Sequence, residues 1–410
     1  MEESILDRII AVAAGLLLGF VHFQAAGQAP APVPVPGTAP AAVPVPPPPG
    51  TAGKAHVLID FETGQVLAEN HAREPLPPAS LTKIMTTYVV AAEIAAGKAS
   101  LDDEVFISEN AWREGGAGTD GSYSGLAVNS RVRLEDVLRG LVIQSGNDAA
   151  IALAEHIAGS EAAFAELMNQ YARRLGLEHS HFVNAHGLTA EGHVMSALDV
   201  ALLSRALIRD FPEHYALHAV KEFTWNGIRQ FNRNGLLWKD PSVDGIKTGH
   251  TAAAGYCLAA SALRDGQRLI SVVMGIQGNR KDGFRLREEG NLALLNWGFR
   301  FFETHTVYTG NEVIAEPRIW KGERDTLPIG LAAPLKLTLP RGRYPEVKAS
   351  IQLPAQLLAP VAAGQEIGRL RLALDGRDLA EVPLVARMAV AEGGWFKQLG
   401  DSLWLWWESE

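Results

Sequence analysis

Three short motifs in this chain could do chemistry together. Ser80-Leu81-Thr82-Lys83 offers a hydroxyl nucleophile with an amine three residues on. Ser145-Gly146-Asn147 offers a second hydroxyl and an amide, and Lys247-Thr248-Gly249 offers a cation and a hydroxyl beside a residue with no side chain. A Ser-x-x-Lys tetrad alone arises by chance in a chain of this length, and Ser-x-Asn is hardly rarer. Lys-Thr-Gly within Val243-Asp244-Gly245-Ile246-Lys247-Thr248-Gly249-His250 is far rarer. In this order the three suit covalent catalysis by a serine whose base is a lysine, with no need of a Ser-His-Asp triad.

At a spacing of three on the first turn of a helix, Ser80 and Lys83 share a face and the amine reaches the hydroxyl. Pro77-Pro78 mark the chain entering that helix. A lysine is a base only when neutral, and burial under a sheet together with repulsion from Lys247 would lower its pKa. Ser145-Gly146-Asn147 is expected where a helix from Leu134 to Gln144 ends, with Gly146 supplying the bend. Ser145 could then relay a proton and Asn147 could hydrogen-bond either a substrate amide or Lys83. Lys247-Thr248-Gly249 is expected to open a strand-like stretch leading to Gly255, with Gly249 admitting a substrate backbone against the strand edge.

Other reactive residues carry less. The single cysteine, Cys257, sits in the apolar run Ala254 to Ala260 and reads as a buried, inert strand residue; one cysteine also excludes an intramolecular disulfide. His179, His181, His186 and His193 cluster within fifteen residues, but no acidic ligand stands at a recognised metal spacing. No metal or cofactor is expected. His186 is assigned to ordering the loop before Gly187.

These residues need a scaffold of some size. With 410 residues and 47% apolar content the chain has room for two or three packed domains. The net charge of −9 argues against nucleic acid and against electrostatic adhesion to anionic lipid. Residues 1–29 read as a signal peptide with an apolar core from Ile9 to Val21, although Glu2, Glu3 and Asp7 outnumber Arg8 ahead of it. Pro30 to Gly50 holds ten of the 23 prolines and no charge, a composition for an extended linker.

A hairpin is expected at Ala55–Asp60 and Gln65–Ala68, and a second pair of strands at Gly255–Leu263 and Arg268–Gly275. Between them the periodicity is helical at 80–96, 134–144, 149–158, 162–175 and 197–208. The fold class is therefore α+β: an antiparallel sheet with an inserted helical region over residues 51–304, followed by a small all-β domain over 305–391. Residues 392–410 predict an amphipathic helix. At 100° per residue Trp395, Phe396, Leu399, Leu403, Trp406 and Trp407 share an arc, with Lys397, Asp401 and Glu408 opposite, which suits a membrane surface.

The segments Pro78–Thr86, Gln144–Ala149, His181-Phe182 through Leu188, Asn232–Leu237, the Lys247 motif and Trp297-Gly298-Phe299 resemble the low-molecular-mass penicillin-binding proteins. Within that group they resemble the two-domain, membrane-tethered serine D-alanyl-D-alanine carboxypeptidases, from about residue 55 onward. The resemblance implies a DD-peptidase/β-lactamase-like fold. It also implies an acyl-enzyme on Ser80 with Lys83 as base, Ser145, Asn147 and Lys247 assisting, and oxyanion donors at the amides of His250 and Ser80. Lys247, Thr248, Gly249 and His250, with Arg233 and Arg287, would line the site for a terminal carboxylate. Peptidoglycan stem peptides and β-lactams would be the ligands, at the periplasmic face of an inner membrane. A D,D-endopeptidase, a β-lactamase or a non-catalytic β-lactam-sensing or wall-binding module are the alternatives; β-lactamases usually carry Ser-Asp-Asn where Ser145-Gly146-Asn147 stands.

Overall fold

The computed structural model describes residues 44–119 and 121–408. The signal segment expected at 1–29, and the linker up to residue 43, lie outside them.

Strand β1 (Ala55–Asp60) turns back into β2 (Val66–Asn70), as the alternation predicts. Three long strands follow much later: β3 (Val243–Thr251), β4 (Gly255–Arg264) and β5 (Gln267–Ile276). All pairings are antiparallel, in the spatial order β2-β1-β5-β4-β3. Strand β1 is buried on both faces, and its alternate side chains enter two different cores. Val57 and Ile59 join the helical region's core, built by helices α1 (Thr82–Ala95), α2 (Asn147–Ala158) and α3 (Ala197–Asp210). Leu58 joins Leu294, Leu295, Trp297 and Phe299 of helix α4 (Arg280–Phe301) on the other face. The expected β-sheet and inserted helices are present.

Helix α4 is the main element that periodicity missed. Glycines lower helix propensity, yet here they are what lets it pack. A Cβ at Gly283 would stand 2.1 Å from the Tyr256 ring, and one at Gly298 would stand 2.6 Å from Leu269. The helix therefore lies closer to the sheet than larger residues would permit.

The described residues divide into two compact units. The first runs to Tyr308 and includes Leu335–Pro345; within it Phe302–Tyr308 pairs with Leu335–Pro340. The sequence reading places that last strand in the C-terminal domain, but its Thr338 bonds Thr63 and Thr304 near Asp60. The proline run also ends docked in this unit, where the Trp297 indole donates to the Pro46 carbonyl at 3.1 Å. The second unit holds a four-stranded antiparallel sheet of Ile329–Gly330, Arg377–Ala386, Glu366–Leu374 and Lys348–Gln352 over buried Leu327, Leu370, Leu372 and Leu384.

The second unit ends in helix α5 (Trp395–Glu408), at the position predicted. Its polar face is held by its own unit: buried Asp401 accepts from the Lys321 amide at 2.6 Å, and Lys397 pairs with Asp325. Its apolar side chains face outward, with Trp395, Phe396, Leu399, Leu403, Trp406 and Trp407 all between 58% and 73% exposed. Trp404, which lies off the predicted arc, is exposed as well. No described helix is long and apolar enough to cross a membrane.

Candidate active site

Ser80 sits in a short 3-10 turn, Ala79–Leu81, that leads into α1, so Lys83 falls on the first turn of the helix. Two glycines clasp this turn. A Cβ at Gly187 would stand 1.9 Å from the Ala79 carbonyl, and one at Gly249 would stand 2.9 Å from the Pro78 carbonyl and 3.2 Å from the Ser80 nitrogen. Gly249 therefore brings edge strand β3 against the chain's own nucleophile turn, a tighter approach than the substrate contact expected of it. Ala79, at φ +48°, holds the left-handed region that non-glycine residues seldom occupy.

Lys83 is 1% exposed and its nitrogen has three acceptors: Ser80 Oγ at 3.0 Å, Asn147 Oδ1 at 2.7 Å and the His186 carbonyl at 2.7 Å. Burial pushes its pKa down to about 7; the charge of Arg233 adds to the effect, against Asp148 and Glu161. The sequence suggested Lys247 as that second cation. In the structure the repulsion between the lysines falls on Lys247, which burial and then Lys83, Arg233 and Arg287 hold well below the usual range. Once Lys83 loses a proton, its two remaining N–H bonds suit Asn147 Oδ1 and the His186 carbonyl. The lone pair then points at the Ser80 hydroxyl.

The Ser145-Gly146-Asn147 bend is built differently from the sequence expectation. The helix over Leu134–Arg139 widens into a π-turn at Gly140–Gln144, and the residue that turns left-handed is Ser145, at φ +70°. Gly146 has φ −62° and needs no conformational licence. It is small because a Cβ there would stand 1.9 Å from Ser124 Oγ and 2.5 Å from Asp148 Oδ1. Asp148, which sequence reasoning left without a role, is buried and accepts the amides of Ser124, Gly125, Leu126 and Ala149. It thereby ties the loop at 121–126 to the N-terminus of α2. Asn147 Nδ2 is buried with no hydrogen-bond partner among the described residues.

Lys247 lies in the middle of β3, opposite Ala259, and does not open a strand as the sequence suggested. Among the described residues its nitrogen donates to the Thr248 carbonyl, at 3.4 Å. Both sequence-nominated arginines reach the same cleft. Arg287, 4% exposed, lies over the Phe284 ring at 4.5 Å and donates to the Arg233 carbonyl at 3.0 Å, while its Nε has no partner among the described residues. Burial pushes its pKa down to about 10. Arg233 is exposed and donates from Nε to the Gln144 carbonyl at 3.1 Å. His250 stacks on Tyr256 with ring centroids 4.1 Å apart.

The histidine cluster disperses. Among the described residues no three His, Cys, Asp or Glu side chains could hold a metal. His186 accepts the Leu188 amide at Nδ1, so Nε2 carries the proton it shares with Glu161 at 3.3 Å; burial drives its pKa down to about 3. Its ring bonds thus reach Leu188, beyond Gly187, and Glu161, where the sequence assigned it to the loop before that glycine. His193 bonds the Val183 amide and Thr82. Burial raises the Cys257 thiol to about 11, fitting an inert residue.

The groups converge on one cleft of about 1020 Å³ lined by Ser80, Ser145, Asn147, Thr248, Gly249 and His250. Its far walls, the loop at 121–125 and the hairpin Glu222–Trp225/Ile228–Phe231, were missed in the sequence. The second had a signal: Asn226-Gly227 between alternating residues, both with positive φ, is a two-residue hairpin turn.

Residues 42–278 match the family model "D-alanyl-D-alanine carboxypeptidase", and residues 302–392 match "Penicillin-binding protein 5, C-terminal domain". D-alanyl-D-alanine carboxypeptidase DacC of Escherichia coli (strain K12) is 45% identical over 351 residues, 85% of this chain and 86% of its own. The structure is similar to that of penicillin-binding protein 5 from Haemophilus influenzae, at 41% identity and TM-score 0.79, covering 84% of this chain and 99% of the other. It is also similar to penicillin-binding protein D2 from Listeria monocytogenes in its cefotaxime-bound form, at 29% identity and TM-score 0.55, covering 62% and 100%. By sequence match and by fold, this chain belongs to the D-alanyl-D-alanine carboxypeptidase family.

Proposed function

We propose that the enzyme removes the terminal D-alanine from peptidoglycan stem peptides ending in D-Ala-D-Ala, and that β-lactams acylate the same serine. Ser80 Oγ attacks the carbonyl of the penultimate residue as its proton passes to neutral Lys83. The amides of Ser80 and His250 stabilise the oxyanion. The C–N bond then breaks, and the departing amine takes its proton back from Lys83 through Ser145. Water next attacks the ester with Lys83 again accepting a proton; the Ser80 Oγ–C bond breaks, that proton returns from Lys83 to the serine oxygen, and the shortened stem leaves. The observation that carries this reading is the buried Lys83 nitrogen 3.0 Å from Ser80 Oγ, with Asn147 Oδ1 and the His186 carbonyl filling its other directions. The matched D-alanyl-D-alanine carboxypeptidases and the cefotaxime-bound relative support the substrate and inhibitor class.

The test is D-alanine release from a peptide ending in D-Ala-D-Ala. Sustained turnover is the expected result, and release limited to one equivalent would reduce the protein to a sensor. Failure on that peptide with cleavage of a cross-linked dimer would make it an endopeptidase. The terminal carboxylate belongs to Lys247, Thr248, Arg233 and Arg287 in this reading. Lys247→Ala and Arg287→Ala should each cost about 1.5–3 kcal/mol in kcat/KM on the free acid, and less on the terminal amide. Equal losses on both substrates would assign these residues to structure.

Helix α5 serves in this reading as a peripheral anchor at the periplasmic face of a membrane. Its aromatic and leucine side chains are largely exposed, while buried Asp401 attaches its polar face to its own unit. Insertion by tryptophan and leucine burial should depend little on salt. Truncation after Ala391 should release a penicillin-binding enzyme from membranes that retain the full chain. Sedimentation of the truncated chain with vesicles, after confirmed signal cleavage, would place the anchor elsewhere.

A further inference from the structure

The chain carries a net charge of −9, yet among the described residues its catalytic cleft is lined by four arginines and one carboxylate. The arginines are Arg229, Arg233, Arg280 and Arg287. The carboxylate, Glu288, is already held by Lys239 at 2.6 Å. A substrate ending in D-Ala-D-Ala brings one terminal carboxylate. In the proposed reading Lys247, Arg233 and Arg287 meet that one anion, the two arginines lining the cleft.

Arg280 and Arg229 remain, and they differ. Arg229 is paired with Glu222 and lies over the Phe231 ring at 4.9 Å. Arg280 is exposed at the start of α4, sits 5.5 Å from the Phe284 ring centroid, and pairs with no described carboxylate. Beside them the same cleft is lined by Tyr123, Ile228 and Phe231, which are 43%, 63% and 50% exposed. Large apolar side chains left in water at the rim of a site mark contact with a ligand.

Resting on the carboxypeptidase reading, we propose that Arg280 and the rim formed by Tyr123, Ile228 and Phe231 are a second, anion-selective subsite. It takes a carboxylate that the stem peptide carries upstream of D-Ala-D-Ala. The rim packs the aliphatic stretch that joins this carboxylate to the scissile dipeptide, and Arg280 meets its charge at the solvent edge. Such a carboxylate has two possible sources, the side chain of the residue just before D-Ala-D-Ala or the α-carboxylate of a γ-linked glutamate one residue further back. The chemistry is the same and the reach differs.

Three peptides separate the cases. Nα,Nε-diacetyl-Lys-D-Ala-D-Ala carries no upstream carboxylate, Nα-acetyl-Nε-succinyl-Lys-D-Ala-D-Ala carries it on the side chain, and acetyl-γ-D-Glu-(Nε-acetyl)Lys-D-Ala-D-Ala carries it one residue back. One carboxylated peptide should exceed the diacetyl peptide in kcat/KM by about five- to tenfold at low salt, and which one does so identifies the source. Arg280→Gln should erase that preference, and Arg280→Glu should invert it, while both variants hydrolyse the diacetyl peptide and take up penicillin at the unmutated rate. Phe231→Ala should weaken binding of the favoured peptide through KM. Equal turnover of all three peptides, or a preference that survives Arg280→Gln, overturns the subsite. Loss of the diacetyl activity in the unmutated protein would instead overturn the carboxypeptidase reading beneath it.

Discussion

Ser80→Ala is expected to abolish covalent labelling by a fluorescent penicillin, a loss of about 10⁴-fold or more in acylation rate, because the acyl bond forms through the hydroxyl removed. The geometry leaves no substitute. Cys257 is buried with its thiol pushed to about 11, and Ser145 lies in the same cleft without the three-way hold on a lysine that Ser80 and Lys83 share. Intact mass of the unmutated protein should show a single penicilloyl adduct. Labelling of the variant at wild-type stoichiometry would sink the assignment of the nucleophile.

Lys83→Ala should lower acylation by about 10²- to 10⁴-fold, the range for losing a positioned general base, while the fold survives. In the unmutated enzyme the rate of acylation should rise with pH through about 7 and level off above it. The direction follows from the group: a lysine is a base only after losing its proton, and burial sets that loss near pH 7. The alanine variant should show a flat residual rate across the same window. A pH profile unchanged in shape by the substitution would remove Lys83 from the proton transfer.

The motifs were legible because covalent chemistry demands particular residue types in a particular order, and the strands because apolar runs in a half-buried sheet must alternate or fill. Three things were not legible, each for a physical reason. Helix α4 hides behind glycines whose purpose is close approach to Tyr256 and Leu269, a relation to residues distant in sequence. The bend at Ser145 looked like a glycine bend, yet its geometry is set by a π-turn behind it and by Ser124 crowding Gly146. Asp148 had no role assigned from the sequence, and only the folded loop reveals the four amides that converge on it. In each case the deciding partner lies well outside any local window. Helix α5 is the opposite case: its periodicity located it correctly, while the buried Asp401 showed that the polar face is itself a contact surface.

Asn147 Nδ2 and Arg287 Nε, each enclosed and each without a partner among the described residues, bear on how firmly the enzyme holds together. An unsatisfied polar atom shut away from water costs about 1–3 kcal/mol, a sizeable share of the 5–15 kcal/mol that separates a typical folded domain from its unfolded chain. Buried Lys83 adds a penalty that varies with acidity. Its pKa falls from 10.5 to about 7 on folding, so between those values the unfolded chain binds more protons. This lysine's contribution to stability is therefore complete above about 10.5 and is lost as pH falls through about 7. The catalytic cleft thus costs the fold stability, which the sheet and the glycine-packed helix around it must offset.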